Sequence, residues 1–278
     1  MGRFRRGWEL TKRSWGVLRT HPSLMRFPVF GGLATLLPAA LLILPGLYLV
    51  DTKETGPGIA LLAIGLYVAV IVGIFFGVAL AAAADAIFRG RASEASSEGY
   101  RVARSRFGAI AGWALVSGLL GLLFAALESQ RGLASIVGAL LGAAWSLVTF
   151  LAVPVIAIEG TGPIATIKRS ATLFKQRWAG QITGNVAIGG AVGLLGILPS
   201  VLLIAAGVYL WSNDGKGEDV ALGAVLVGIG TVIFLVAVML QRALRGVFGV
   251  ALYRYAAEGE ASGAFSADEL ESAVSHRA

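Results

Sequence analysis

The chain has 278 residues, of which 56% are hydrophobic and only 14% are charged. Soluble domains carry about 25% charged residues, so this composition excludes a soluble globular domain. Cysteine is absent, which excludes disulfides, thiolate metal sites and a cysteine nucleophile. The sequence therefore indicates a polytopic membrane protein, and it says more about topology than about activity.

The first predicted element is an amphipathic helix over residues 4–20. Apolar side chains recur at helical spacing on one of its faces, namely Phe4, Trp8, Thr11, Trp15 and Leu18. Two tryptophans on such a face are typical of the headgroup boundary of a bilayer. We therefore expect this helix to lie in the membrane interface. Its candidates for contact with lipid or a partner are Trp8, Lys12, Arg13 and Trp15.

Six uncharged runs come next, each long enough to cross a bilayer, which takes roughly 20 apolar residues. The predicted spans cover residues 28–50, 58–84, 108–127, 132–157, 180–211 and 220–241. Prolines in the first, fourth and fifth runs predict kinks, because proline removes an internal hydrogen bond. The expected fold class is all-α membrane, with six transmembrane helices in three hairpins and amphipathic interfacial helices on the cytoplasmic side. Residues 1–257 would form this single polytopic domain.

Two further interfacial helices are predicted, over residues 92–106 and 163–177. The second has apolar residues at helical spacing: Ile164, Ile167, Ala171, Phe174 and Trp178. The candidate lipid or partner contacts on these two helices are Arg101, Arg104, Lys168, Arg169, Lys175 and Arg177. One interpretation makes the three interfacial helices simple anchors that fix depth and orientation. The other makes them a basic cytoplasmic collar that binds anionic lipid or a partner protein.

The charges divide between alternate loops. Twenty of the 23 Lys and Arg residues lie before the first run, between the second and third, between the fourth and fifth, or after the sixth. Because positively charged loops stay in the cytoplasm, we expect both termini there. The net charge of +7 then reflects membrane topology and anionic lipid, and no nucleic acid partner is expected.

A threefold internal pattern is visible in the order of the elements, in which a basic helix, a span, a short loop and a second span recur. The pentapeptide Phe76–Leu80 returns unchanged as Phe248–Leu252, and Lys-Arg-Ser precedes both the first and the fifth spans. The pattern is either a true repeat or three generic hairpins that obey the same charge rule.

No catalytic, cofactor or metal motif is present. The sequence lacks a P-loop and a zinc-protease motif, and its two histidines, His21 and His276, stand far apart. We therefore predict a protein that is not an enzyme. The intramembrane polar candidates are Asn185, Arg242 and Arg245. The two arginines either extend to the interface or lie buried beside Asp85 or Glu159.

Residues 258–278 form an acidic segment, predicted to be a cytoplasmic tail that either covers the basic collar or stays solvated. Within it, Ser266 to Glu269 has the pattern of a capping box that opens a short helix.

Several motifs resemble one family of uncharacterised bacterial integral membrane proteins. They are Arg6 to Trp15 with Phe27 to Val29, Gly162 to Ile164 with Ile167 to Ser170, and Ala251 to Ala256. The resemblance spans residues 3 to 257, and that family is distantly similar to the membrane domain of some glycerophosphodiester phosphodiesterases. It implies a six-helix fold in the bacterial inner membrane and transfers no activity or site.

The function expected from the sequence is a non-enzymatic membrane scaffold, or a protein that binds membrane lipids or a protein partner through its basic cytoplasmic face. The alternative is a transporter or flippase for an apolar or lipidic substrate. An apolar cavity between the hairpins would favour that alternative.

Overall fold

The computed structural model of the protein describes residues 3–129, 133–178, 196–212, 217–261, 265–267 and 270. Its regular elements in these ranges are helices, with no strand among them, so the all-helical fold class is confirmed. In chain order they are α1 (Arg3–Thr20), α2 (Arg26–Pro38), α3 (Leu44–Asp51), α4 (Thr55–Phe88), α5 (Ala95–Ser105), α6 (Phe107–Glu128), α7 (Leu133–Val148), α8 (Ala152–Glu159), α9 (Pro163–Trp178), α10 (Leu198–Ser212) and α11 (Gly217–Glu258).

Four helical segments in the described ranges are long and apolar enough to cross a membrane, which indicates a membrane protein. They are Pro22–Asp51, Thr55–Phe88, Phe107–Glu128 and Val220–Glu258. The first includes α2, a wider π-helical turn over Ala39–Ile43, and α3. This turn directly follows Pro38, where the missing amide hydrogen interrupts the regular helix.

The predicted fourth and fifth spans do not form single long helices in the described ranges. The fourth is divided into α7 and α8 by a turn over residues 149–151. Pro154 accounts for this division, because its nitrogen has no hydrogen to donate to the carbonyl of Phe150. Of the fifth run, the described helix is α10, with 15 residues.

Consecutive helices pack closely where glycines face each other. A Cβ atom built on Gly207 of α10 would lie 2.6 Å from the carbonyl oxygen of Gly223 in α11. In the same way, a Cβ atom on Gly58 of α4 would lie 3.0 Å from the carbonyl oxygen of Gly46 in α3. Small residues let transmembrane helices approach this closely. These contacts join α3 to α4 and α10 to α11.

The buried core lies at one end of the long helices. It includes Val78–Ala86 of α4 and most of the last part of α11, from Ala243 to Ala256. The opposite parts of the helices expose large apolar side chains, such as Leu41, Leu122 and Val232. Polytopic proteins bury little apolar surface where lipid tails surround them, and this distribution fits that environment.

The helices α4, α8 and α11 each end at a glycine in the left-handed conformation. Gly90, Gly160 and Gly259 have φ angles of 78°, 69° and 75°. Glycine adopts such angles without the steric cost that a Cβ atom brings. The helices α5, α9 and α1 pack against α4, α8 and α11, respectively.

Candidate functional site

The helices α1 and α9 bury small polar residues where they contact the core. Ser14 of α1 and Ser170 of α9 are both fully buried. Each serine follows a Lys-Arg pair in the sequence. The Ser170 hydroxyl accepts a hydrogen bond of 3.3 Å from the backbone N–H of Leu151, whereas the Ser14 hydroxyl has no hydrogen-bond partner among the residues that the structure describes. These serines therefore mark the inward faces of the two helices.

The apolar faces expected for α1 and α9 are divided by this packing. In α1, Thr11 and Leu18 are buried, but Trp15 is 47% exposed. In α9, Phe174 is buried, but Ile164 is 69% exposed. The residues expected on one face of each helix therefore differ in burial, and the location of these helices in the membrane interface stays a prediction. Each helix has an inward face that includes Ser or Thr, and a separate outward face that retains a large apolar residue.

The outward faces combine these apolar residues with cations at helical spacing. On α1, Lys12 and Arg19 lie one turn to either side of Trp15. On α9, Lys168 and Lys175 follow Ile164 on the same face. After α5, the exposed Phe107 follows the exposed cations Arg101 and Arg104. We name these outward residues the basic face: Lys12, Trp15, Arg19, Arg101, Arg104, Phe107, Ile164, Lys168 and Lys175.

Some of the predicted basic residues have acidic partners. Arg101 makes a bidentate contact with Glu98, with a closest N–O distance of 2.7 Å. Arg169 donates to Glu159 at 2.7 Å, and Tyr253 donates to the same carboxylate oxygen at 2.7 Å. The hydrogen bond to Glu159 raises the pKa of Arg169 above its ordinary value. Arg169 therefore holds α9 against α8 and α11. The corresponding arginine of the first Lys-Arg-Ser motif, Arg13, is exposed.

A second ion-pair cluster joins the ends of α4 and α11. Arg254 lies 3.4 Å from Asp85 and 3.1 Å from Glu258, and Arg89 contacts the same two acids at 2.9 and 2.7 Å. Arg254 also contacts Glu260 at 3.2 Å. The side-chain hydrogen bond to Asp85 raises the pKa of Arg89. The sequence alone does not reveal this cluster, because Arg254 and Asp85 are 169 positions apart in the chain.

Arg242 and Arg245 of α11 are both exposed, and neither makes an ion pair with any of the residues the structure describes. The alternative that pairs them with Asp85 or Glu159 is therefore wrong. Asp85 is occupied by Arg89 and Arg254, and Glu159 by Arg169 and Tyr253.

Both arginines line a cleft of about 1040 Å³ between α2, α4, α7, α8 and α11. The rest of its wall is almost entirely apolar or glycine, with residues such as Leu66, Val70, Gly73 and Phe76 from α4. Two of its lining residues on α4, Leu66 and Val70, are 53% and 40% exposed, so the cleft is open beside them. An apolar cleft with two convergent cations at one end is typical of a site for a small amphiphilic ligand.

The structure places most of the other predicted residues, but three lie outside what it describes: the side chains of Trp8 and Arg177, and the whole of Asn185. Of the acidic tail, Phe265 and Leu270 are buried, and the Leu270 N–H bonds to the Ser266 carbonyl at 3.1 Å. In the part of the chain described, no group of three or more His, Asp or Glu residues is arranged to hold a metal ion.

The model of a family of unknown function, DUF6159, matches residues 58–264, which is about three quarters of the chain. This range includes α5 to α11 and nearly all of α4. No curated protein and no solved structure matches the chain.

Proposed function

We propose that this chain, which belongs to the DUF6159 family of unknown function, is a non-enzymatic membrane protein whose basic face binds anionic lipid headgroups. The observation that carries the proposal is the recurrence of exposed cations near an exposed large apolar residue, on α1, on α9 and at the junction of α5 and α6. Apolar side chains at the headgroup boundary and cations near anionic lipid both favour such contact. Each Lys or Arg contributes about 1 kcal/mol near an anionic surface.

The proposal includes a topology of six spans in three hairpins, with both termini in the cytoplasm. The distribution of Lys and Arg between alternate loops supports this orientation. The buried end of the helices, from which α1, α5 and α9 extend, then lies on the cytoplasmic side. We also propose a bacterial inner-membrane location. The distant similarity to the membrane domain of glycerophosphodiester phosphodiesterases stays a prediction.

In this proposal the protein acts as a scaffold, because cations on packed helices order the lipids that they contact. The inward faces of α1 and α9 are packed against the core, so the cations on their outward faces have fixed positions. Fixed cations lose less conformational entropy on binding a headgroup than cations on a mobile segment do. A protein partner with an acidic surface is the competing occupant of this face.

A second candidate function is that of a transporter or flippase for a lipidic substrate. The lateral cleft between the hairpins specifically favours this candidate, because a lipid substrate must enter from the side. A scaffold needs no such cleft. Transport would require a second state in which the cleft opens to the opposite leaflet.

The test compares two single charge reversals in nanodiscs that contain a minor fraction of fluorescent anionic phospholipid. Lys168→Glu alters the basic face, and Lys53→Glu makes the same change in the loop between α3 and α4. Energy transfer from the tryptophans to the fluorescent lipid reports enrichment beside the protein. We expect Lys168→Glu to reduce this enrichment and Lys53→Glu to leave it unchanged. Equal enrichment for both variants would reject lipid binding by the basic face and leave an acidic partner as its occupant.

A further inference from the structure

We propose that the lateral cleft binds one anionic membrane lipid, with its headgroup at Arg242 and Arg245 and an acyl chain along α4. This inference rests on the membrane placement proposed above, but it does not depend on the basic face. It names the ligand class for a site that no sequence motif marks.

The charge of the cleft supports an anionic ligand. Arg242 and Arg245 are three residues apart on one helix, so both guanidinium groups face the same volume. Asp85 and Glu159, the acids considered as partners for them from the sequence, are held by Arg89, Arg254 and Arg169. Two cations without a counter-charge beside an apolar wall are costly in a membrane, and an anionic headgroup neutralises them. Arginine is also well suited to phosphate, because its planar donors form paired hydrogen bonds.

The position of the arginines within the cleft supports a lipid over a free anion. A Cβ atom on Gly246 would lie 2.5 Å from a methyl carbon of Leu80, so α11 touches α4 at this level. Arg242 and Arg245 lie beside this contact, at the end of the cleft nearest the buried core. The α4 lining continues from Leu80 back to Leu66. At 1.5 Å per residue, that distance is about 21 Å.

This apolar stretch has the length that an acyl chain needs. The hydrocarbon core of a bilayer is about 30 Å thick, so the chains of one leaflet extend over about 15 Å. The volume of the cleft also lies at the upper end of the range for small-ligand sites, about 300–1,000 Å³. The apolar stretch is unobstructed at Gly73, since a Cβ atom built there would meet no atom within 4 Å. The cleft thus has cations at one end and an apolar stretch as long as an acyl chain, which matches the charged headgroup and apolar chain of an anionic lipid.

The experiment uses the full chain in nanodiscs with a phospholipid that carries a photoactivatable group in its acyl chain, with either an anionic or a zwitterionic headgroup. After illumination, mass spectrometry measures how much lipid is attached to residues 66–81. Four variants are compared: Arg242→Gln/Arg245→Gln removes the cations, Arg242→Lys/Arg245→Lys retains the charge, Gly73→Leu fills the cleft, and Gly228→Leu adds the same side chain at an open helix position outside it.

We expect the anionic lipid to label the native chain at residues 66–81 at least tenfold more than the zwitterionic lipid. The double Gln variant and Gly73→Leu should lose most of this labelling, whereas the double Lys variant and Gly228→Leu should keep it. Equal labelling by both lipids, or full labelling of the double Gln variant, would overturn the proposal. The double Lys variant keeps the test decisive if the double Gln variant fails to fold. Lys168→Glu should keep the labelling of residues 66–81 while it loses the general lipid enrichment, and this result separates the cleft from the basic face.

Discussion

The guanidinium group of Arg254 lies 3.4 Å from the carboxylate of Asp85, although 169 positions separate the two residues. Their side chains are only 7% and 12% exposed. Asp85 is the last residue but one of the buried stretch of α4, and Arg254 lies four residues before the end of α11. The pair therefore joins α4 to α11 beside the buried core.

The first prediction concerns the cost of breaking this pair. Asp85→Ala leaves the buried Arg254 without one of its acidic partners, and uncompensated buried charge is strongly destabilising. We expect a loss of about 2–4 kcal/mol in the free energy of unfolding, measured by denaturant titration in detergent micelles. Arg91→Ala is the control. Its ion pair with Glu94 is exposed and 3.9 Å long, so its loss should cost less than about 1 kcal/mol. Equal losses in the free energy of unfolding for the two variants would show that the Asp85–Arg254 contact does not stabilise the fold.

The second prediction concerns the glycine contact between α10 and α11. In Gly207→Ala, the new methyl group would lie 2.6 Å from the carbonyl oxygen of Gly223, so the two helices must separate. We expect the free energy of unfolding to fall by about 1–3 kcal/mol, as is usual for overpacking. Gly228→Ala is the matched control, because nothing lies within 4 Å of its Cβ position. That variant should be neutral or slightly stabilising, since alanine favours helix over glycine. An unchanged stability for Gly207→Ala would contradict the close approach.

The sequence predicts the helices better than it predicts how they pair. Long uncharged runs reveal α4 and α6 directly, because a bilayer requires apolar side chains over a fixed length. Helix pairing depends on the shapes of facing surfaces, which composition does not encode. Sequence spacing alone does not distinguish Gly207 and Gly223, which contact each other, from the many other glycines of the chain.

The division of the amphipathic faces shows the same limit. Hydrophobic periodicity assigns Trp15 and Leu18 to one face of α1, yet the structure buries Leu18 and exposes Trp15. The inward side includes Ser14, a residue type that a hydrophobicity pattern treats as solvent-facing. Small Ser and Thr residues let helices pack closely, so burial there follows size more than polarity. The cleft at Arg242 depends on such packing and has no local sequence signal.

The third prediction tests the proposed topology. Because the native chain lacks cysteine, a single introduced cysteine reports its own position without background. Lys53→Cys lies in the turn between α3 and α4, and Arg91→Cys lies between α4 and α5; both positions are exposed. We expect a membrane-impermeant maleimide added to intact cells to label Lys53→Cys only. After permeabilisation, both variants should react. Labelling of Arg91→Cys in intact cells would reverse the proposed orientation.

The last prediction uses the two buried serines as a matched pair. Ser170→Ala removes the acceptor of the hydrogen bond from Leu151 N–H and leaves that buried amide without a partner. We expect a loss of about 1–2 kcal/mol in the free energy of unfolding. Ser14→Ala removes a buried hydroxyl that has no hydrogen-bond partner, so it should be neutral or stabilising. Both substitutions delete the same atom from the same position of a Lys-Arg-Ser motif. Since Leu151 is the last residue of the turn that leads into α8, only Ser170→Ala should also speed amide exchange there. Equal losses for the two variants would mean that the motif stabilises α1 and α9 through the shape of its side chain and not through this hydrogen bond.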